Sequence, residues 1–180
     1  MELLRGALRG LAPCLACLIA WSAQAQPASE HAIKAAFLFK FAGYVEWPTR
    51  APPTDEPFVI GTLGADEVAS ELARMLPGRT IEGRPVVVRM VREGEPLRGL
   101  NVLFIGRREA NARAAIRSAQ QQGVLTVTET DLETGAAINF VMSESRVGFE
   151  VSLDAAERGG HRISSRMLAV ARRVAPKGTS

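Results

Sequence analysis

Histidine, the side chain best suited to proton transfer or metal ligation near neutral pH, occurs twice in this chain, at His31 and His161. Neither has a cysteine or a second histidine at ligand spacing, so the pattern predicts no zinc and no other bound metal. The acids Asp131, Glu150 and Asp154 fall in turns and at strand ends, unpaired in any arrangement that general acid–base chemistry uses. Ser164 and Ser165 lack a Gly-x-Ser-x-Gly elbow, and helix capping accounts for Ser164. Gly61-Thr62-Leu63-Gly64 follows a strand-like run, but the third glycine of a dinucleotide fingerprint is missing, so an ordinary strand-to-helix turn and no cofactor are expected. Arg113 and Arg117, one helical turn apart, read as a solvated face, with an anion site as the alternative. Glu150 is the acid to watch: between Phe149 and Val151 on a predicted strand, it faces either solvent or a partner. No acid, base and nucleophile converge, and the chain reads as a binding protein, not an enzyme.

The element that must position any binding surface is the aromatic stretch from Ile33 to Pro48. Ile33, Phe37, Phe41 and Tyr44 recur at helical spacing, and Ala36, Leu38, Phe39 and Val45 widen that face beyond what a solvated helix carries. Ser29 is placed to cap this helix, which is expected to run to about Glu46, where Pro48 ends it. Two readings follow: a buried helix closing a domain, or a helix whose exit, Glu46-Trp47-Pro48, forms part of a partner surface. Ahead of it, Arg5 and Arg9 precede an apolar run from Leu11 to Trp21 and a small-residue ending at Ala25, the pattern of a signal peptide over 1–25. Both cysteines, Cys14 and Cys17, lie inside that segment. The mature chain is therefore expected to be exported, free of disulfides and thiol nucleophiles, and not inserted in the membrane. About 155 residues remain, enough for one domain with its own core. Twenty-two Lys and Arg against nineteen Asp and Glu leave a net charge of only +3 with no continuous basic stripe, which argues against a nucleic-acid partner.

Residues 26–176 read as one α/β domain with a flexible tail at 177–180. Four prolines between Pro48 and Pro57 mark an exposed loop. Phe58–Leu63, Val86–Val88, Val102–Ile105 and Val124–Val127 are apolar runs of the kind that suits a parallel sheet covered on both faces, with helices over Ala65–Leu76 and Glu109–Gln122 between them. Ile138, Phe140 and Met142, then Val147, Phe149 and Val151, alternate as an antiparallel hairpin. A short turn at Asp154–Glu157 and a last helix with Met167, Val170, Ala171 and Val174 on its inner stripe complete the chain. The predicted fold is a single three-layer domain, a mostly parallel sheet flanked by helices with a C-terminal antiparallel hairpin.

Taken together, Ile33–Phe41 with Val45-Glu46-Trp47-Pro48, Phe58–Gly64, Gly83–Val86, Leu103–Ile105, Leu125–Val127, Ile138–Phe140, Arg146–Val151, Ala155-Ala156 and Ile163–Ala171 resemble the YfiR-like proteins. The resemblance spans nearly the whole mature chain. It implies a periplasmic, dimeric regulator that binds the periplasmic region of an inner-membrane signalling protein, a diguanylate cyclase or a sensor kinase, and holds a cyclase's output low. The best-known members carry cysteine pairs; this mature chain has none, so redox control is not carried over. Tyr44, Glu46, Trp47, Pro48 and Glu150 are the partner-binding candidates, with Trp47→Ala expected to weaken the complex without unfolding the domain. The competing reading is a small-ligand binding protein feeding a sensor kinase or transporter, its crevice at the strand ends near Gly64 and Gly106.

Overall fold

A computed structural model describes residues 28–47 and 56–176. The segment 1–25 expected to be a signal peptide, with Cys14 and Cys17, the proline-rich stretch from Pro48 to Asp55 and the tail at 177–180 lie outside the described residues. Helix α1 covers Glu30–Ala42: Ser29 is extended and its hydroxyl accepts from Ala32 N, Glu30 sits in the first turn and Lys40 in the last, each favourable for the helix dipole. A short strand β1 (Val45–Glu46) follows. Strand β2 (Phe58–Leu63) then opens a β-α-β progression with α2 (Asp66–Met75), β3 (Thr80–Ile81), β4 (Arg84–Val91), β5 (Val102–Ile105), α3 (Ala112–Gln121) and β6 (Leu125–Thr128). A 3-10 turn at Leu132–Thr134 leads to the hairpin of β7 (Ile138–Ser143) and β8 (Arg146–Ser152), and the chain ends with α4 (Leu153–Arg158), β9 (Arg162–Ile163), α5 (Ser165–Leu168) and β10 (Arg173–Ala175).

The main sheet has eight strands in the order β10-β8-β7-β6-β5-β2-β4-β3. From β4 through β7 every neighbouring pair is parallel, β8 returns antiparallel to β7, and β10 adds parallel to β8. Alternation along each strand divides the core between its faces. On one side, Phe58, Ile60, Val102, Phe104, Leu125, Val127, Phe140, Phe149 and Val151 pack with Leu38 and Phe41 of α1 and Leu72 of α2. On the other, Leu63, Leu103, Ile105 and Val91 pack with Ile116 and Ala119 of α3. All four residues of β5 are buried, as a central parallel strand covered on both faces requires. The three layers and the hairpin are thus those the apolar runs predict.

Three elements differ from the sequence reading, each for a tertiary reason. Helix α1 stops at Ala42, not near Glu46. Gly43 N–H closes the last turn onto Lys40 O and Tyr44 N–H onto Phe41 O, and Val45 and Glu46 pair antiparallel with Ile163 and Arg162 of β9. The run around Val86–Val88 is not buried throughout. Strand β4 has only the two-residue β3 beyond it, which leaves Val87 and Met90 exposed. The expected last helix is a single turn, after which the chain extends into β10 against the open end of β8 and Val170 becomes 69% exposed. Backbone groups at a sheet edge supply hydrogen bonds that helical spacing in one dimension does not register.

Candidate functional site

The exit of α1 builds a braced corner. Phe37 and Phe41 stack with ring centroids 5.7 Å apart, and Phe41 meets Phe149 edge-on at 4.9 Å, so the helix is anchored along its length by aromatic contacts. Past Gly43, the Tyr44 carbonyl accepts from Ser164 N at 3.0 Å, tying the turn to the residue that caps α5. This leaves the Tyr44 ring 43% exposed and Glu46 exposed across from Arg162. Trp47 is different. It is half-buried, its Nε1 donates to Ala42 O at 3.0 Å, and its ring stands edge-on to Phe58 at 5.1 Å and to His161 at 5.2 Å. Most of the indole is thus committed to the domain's own packing. Pro48 lies outside the described residues.

His161 is 3% exposed, and neither ring nitrogen has a hydrogen-bond partner. Gly159 makes room for it, since a Cβ there would stand 2.8 Å from His161 Nδ1. Burial in these apolar surroundings pushes its pKa down to about 4. The carbonyls of Gly123 and Ala156 pull the other way, but neither is aligned for a hydrogen bond. The side chain is therefore a neutral packing partner of Trp47 at neutral pH.

Glu150 stands apart from this corner. Its neighbours Phe149 and Val151 face α1, so Glu150 points to the opposite face of the sheet. There its two carboxylate oxygens accept from Arg173 Nε at 2.9 Å and Nη2 at 3.1 Å, a bidentate pair that binds β10 to β8. That guanidinium, helped by the buried Asn139, holds the Glu150 carboxyl below the usual carboxylate range. The other acidic and hydroxyl candidates serve local structure. Asp131 caps the 3-10 turn by accepting from Thr134 N, Asp154 pairs with Arg158, and Ser164 caps α5. Among the described residues, no cluster of three or more His, Cys, Asp or Glu is placed to hold a metal ion.

At the carboxyl ends of the parallel strands, Gly64 and Gly106 meet backbone to backbone. A Cβ on Gly106 would lie 2.0 Å from Gly64 O, so the place where a ligand crevice is expected is closed by the chain itself. Close by, sequence reasoning missed Lys34. This lysine is 2% exposed and donates to Glu30 and Glu129, while Glu129 also accepts from Arg107 N at 2.9 Å. Its position was legible, because Lys34, Leu38 and Phe41 share the buried side of α1 at helical spacing. Its partner Glu129 was not, being far away in sequence. The bond from Lys34 holds Glu30 below its ordinary pKa, and the group as a whole is internally satisfied.

A family model described as YfiR/HmsC-like matches residues 31–172. No curated protein matches the chain.

Proposed function

The chain belongs to the YfiR/HmsC-like family, and from that premise we propose that it is an exported regulatory binding protein of the periplasm. It docks on the periplasmic region of an inner-membrane signalling protein, a diguanylate cyclase ahead of a sensor kinase, and holds the output of that protein low. It does so as a homodimer and without catalysing a reaction. The observation that carries this reading is the family match, which takes in nearly all of the described fold. The braced corner supports it: Tyr44 and Glu46 project from a turn fixed by β1–β9 pairing and by the Trp47 packing, a rigid platform for a partner. Trp47 shapes that corner, Pro48 stays a candidate from its place in the sequence alone, and Glu150 belongs to the partner surface only where its carboxylate is reached beside Arg173.

Regulation of this kind needs unequal affinity for two partner conformations, about 1.4 kcal/mol for each tenfold shift in their ratio. The test is capture of the tagged mature chain from detergent-solubilised membranes of its own host. The expected result is co-purification of a membrane protein with a cyclase or kinase output domain, lost for Tyr44→Ala combined with Glu46→Lys while the melting temperature is kept. Capture of no such protein would overturn the reading, and a rise in melting temperature with periplasmic small molecules alone would replace it with the ligand-binding one.

A further inference from the structure

Strand β8 is paired by β10 only over Glu150–Ser152, so its first residues leave an open edge. There the surface forms a groove of about 320 Å³ between α1 and the hairpin, lined by Phe37, Arg146, Val147, Phe149, Val170 and Arg172. Its floor is apolar, with Val170 69% exposed at the rim and Met142, the cross-strand partner of Val147, 43% exposed beside it. Its charges are two exposed arginines. Arg172 is positioned by its own backbone, whose N–H bonds Phe149 O at 2.8 Å, and by Gly148, where a Cβ would stand 2.3 Å from Arg172 Nε. The adjacent Arg173 is neutralised internally by Glu150. Among the described residues, the guanidinium groups of Arg146 and Arg172 have no acidic partner.

We propose that this groove is a second docking surface, whose occupant is a protein segment carrying apolar side chains interleaved with carboxylates. The apolar floor supplies contact area and the two unpaired guanidinium groups select acid over neutral or basic segments, since Arg binds a carboxylate through a planar fork of donors. A basic segment would set like charges against the two guanidinium groups and leave them without a partner. The proposal rests on the docking reading above only for the identity of the protein that contributes the segment.

The test is a fluorescence-anisotropy titration of the mature chain alone with short synthetic peptides alternating Leu and Glu, and with the same peptides carrying Gln for Glu. The Glu peptide is expected to bind, to weaken as salt rises, and to bind about tenfold more tightly than the Gln peptide, as two partly exposed ion pairs imply. Arg146→Gln with Arg172→Gln should abolish that preference, Val170→Ser should weaken both peptides, and Tyr44→Ala should change neither. Both arginines are exposed, and an unchanged melting curve for each variant confirms that the fold is kept. Equal binding of the two peptides, a preference that survives loss of both arginines, or binding to anionic phosphatidylglycerol vesicles with no peptide preference would overturn the proposal. A failed titration removes the groove, whereas a failed membrane capture removes the partner, so the two readings fail separately.

Discussion

Trp47 and His161 illustrate how little of a side chain's role is set by its own chemistry. The indole N–H is satisfied by Ala42 O and the ring is wedged between Phe58 and His161, so Trp47→Ala leaves a gap in the domain as well as an altered surface. It should lower stability by about 2–3 kcal/mol, less than a fully buried tryptophan because part of the residue stays exposed, as read from urea melts. Any loss of partner binding by that variant must be judged against Tyr44→Ala, which removes an exposed ring. His161 adds a pH dependence with a definite sign. Its folded pKa of about 4 lies below the unfolded 6.5, so between these values the unfolded chain holds the extra proton. Its neutral form is fully accommodated above about pH 6.5, and stability is lost as pH falls toward 4, by up to about 3 kcal/mol. Comparison of melts at neutral and mildly acidic pH should show a smaller acid loss for His161→Phe than for the parent, because carboxylate titration is common to both.

Among the elements, the strand ends were the most legible. Runs such as Phe58–Leu63 and Val102–Ile105 carry their own signal, since a strand buried on both faces is apolar at most of its positions. Glycines mark where β2 and β5 stop, and the structure adds why Gly106 must be one: the backbones of Gly64 and Gly106 are in contact. Gly106→Ala is expected to cost about 3 kcal/mol, since the obstruction is a main-chain carbonyl that no rotamer change relieves. A circular-dichroism melt checks it, with Gly94→Ala, a turn position where nothing lies within 4 Å but φ is +80°, as a milder comparison. The last helix failed for the opposite reason. Met167, Val170, Ala171 and Val174 fit a helical stripe, yet the unfilled edge of β8 recruits residues 173–175 as a strand, and an edge is a property of the assembled sheet.

Across the whole molecule, the Lys34–Glu129 pair fastens α1 to the carboxyl end of β6. Lys34→Met should lower stability by about 2–3 kcal/mol because Glu129, only 16% exposed in its side chain, is left without its cation. Adding Glu129→Gln should restore part of that loss, a coupling that denaturant titrations of the two single variants and the double variant would reveal. The pair is separated by 95 residues along the chain, and no local pattern joins its members. The same holds for β1 with β9, for Trp47 with His161, and for the groove between Phe37 and Val170. Periodicity, caps and breakers are short-range signals, and they were enough to read the layers, the parallel run of strands and the hairpin directly from the residues. Which arginines are left without partners, which tryptophan face is covered and which strand edge stays open depend on distant segments meeting, and they are settled only when the chain closes on itself.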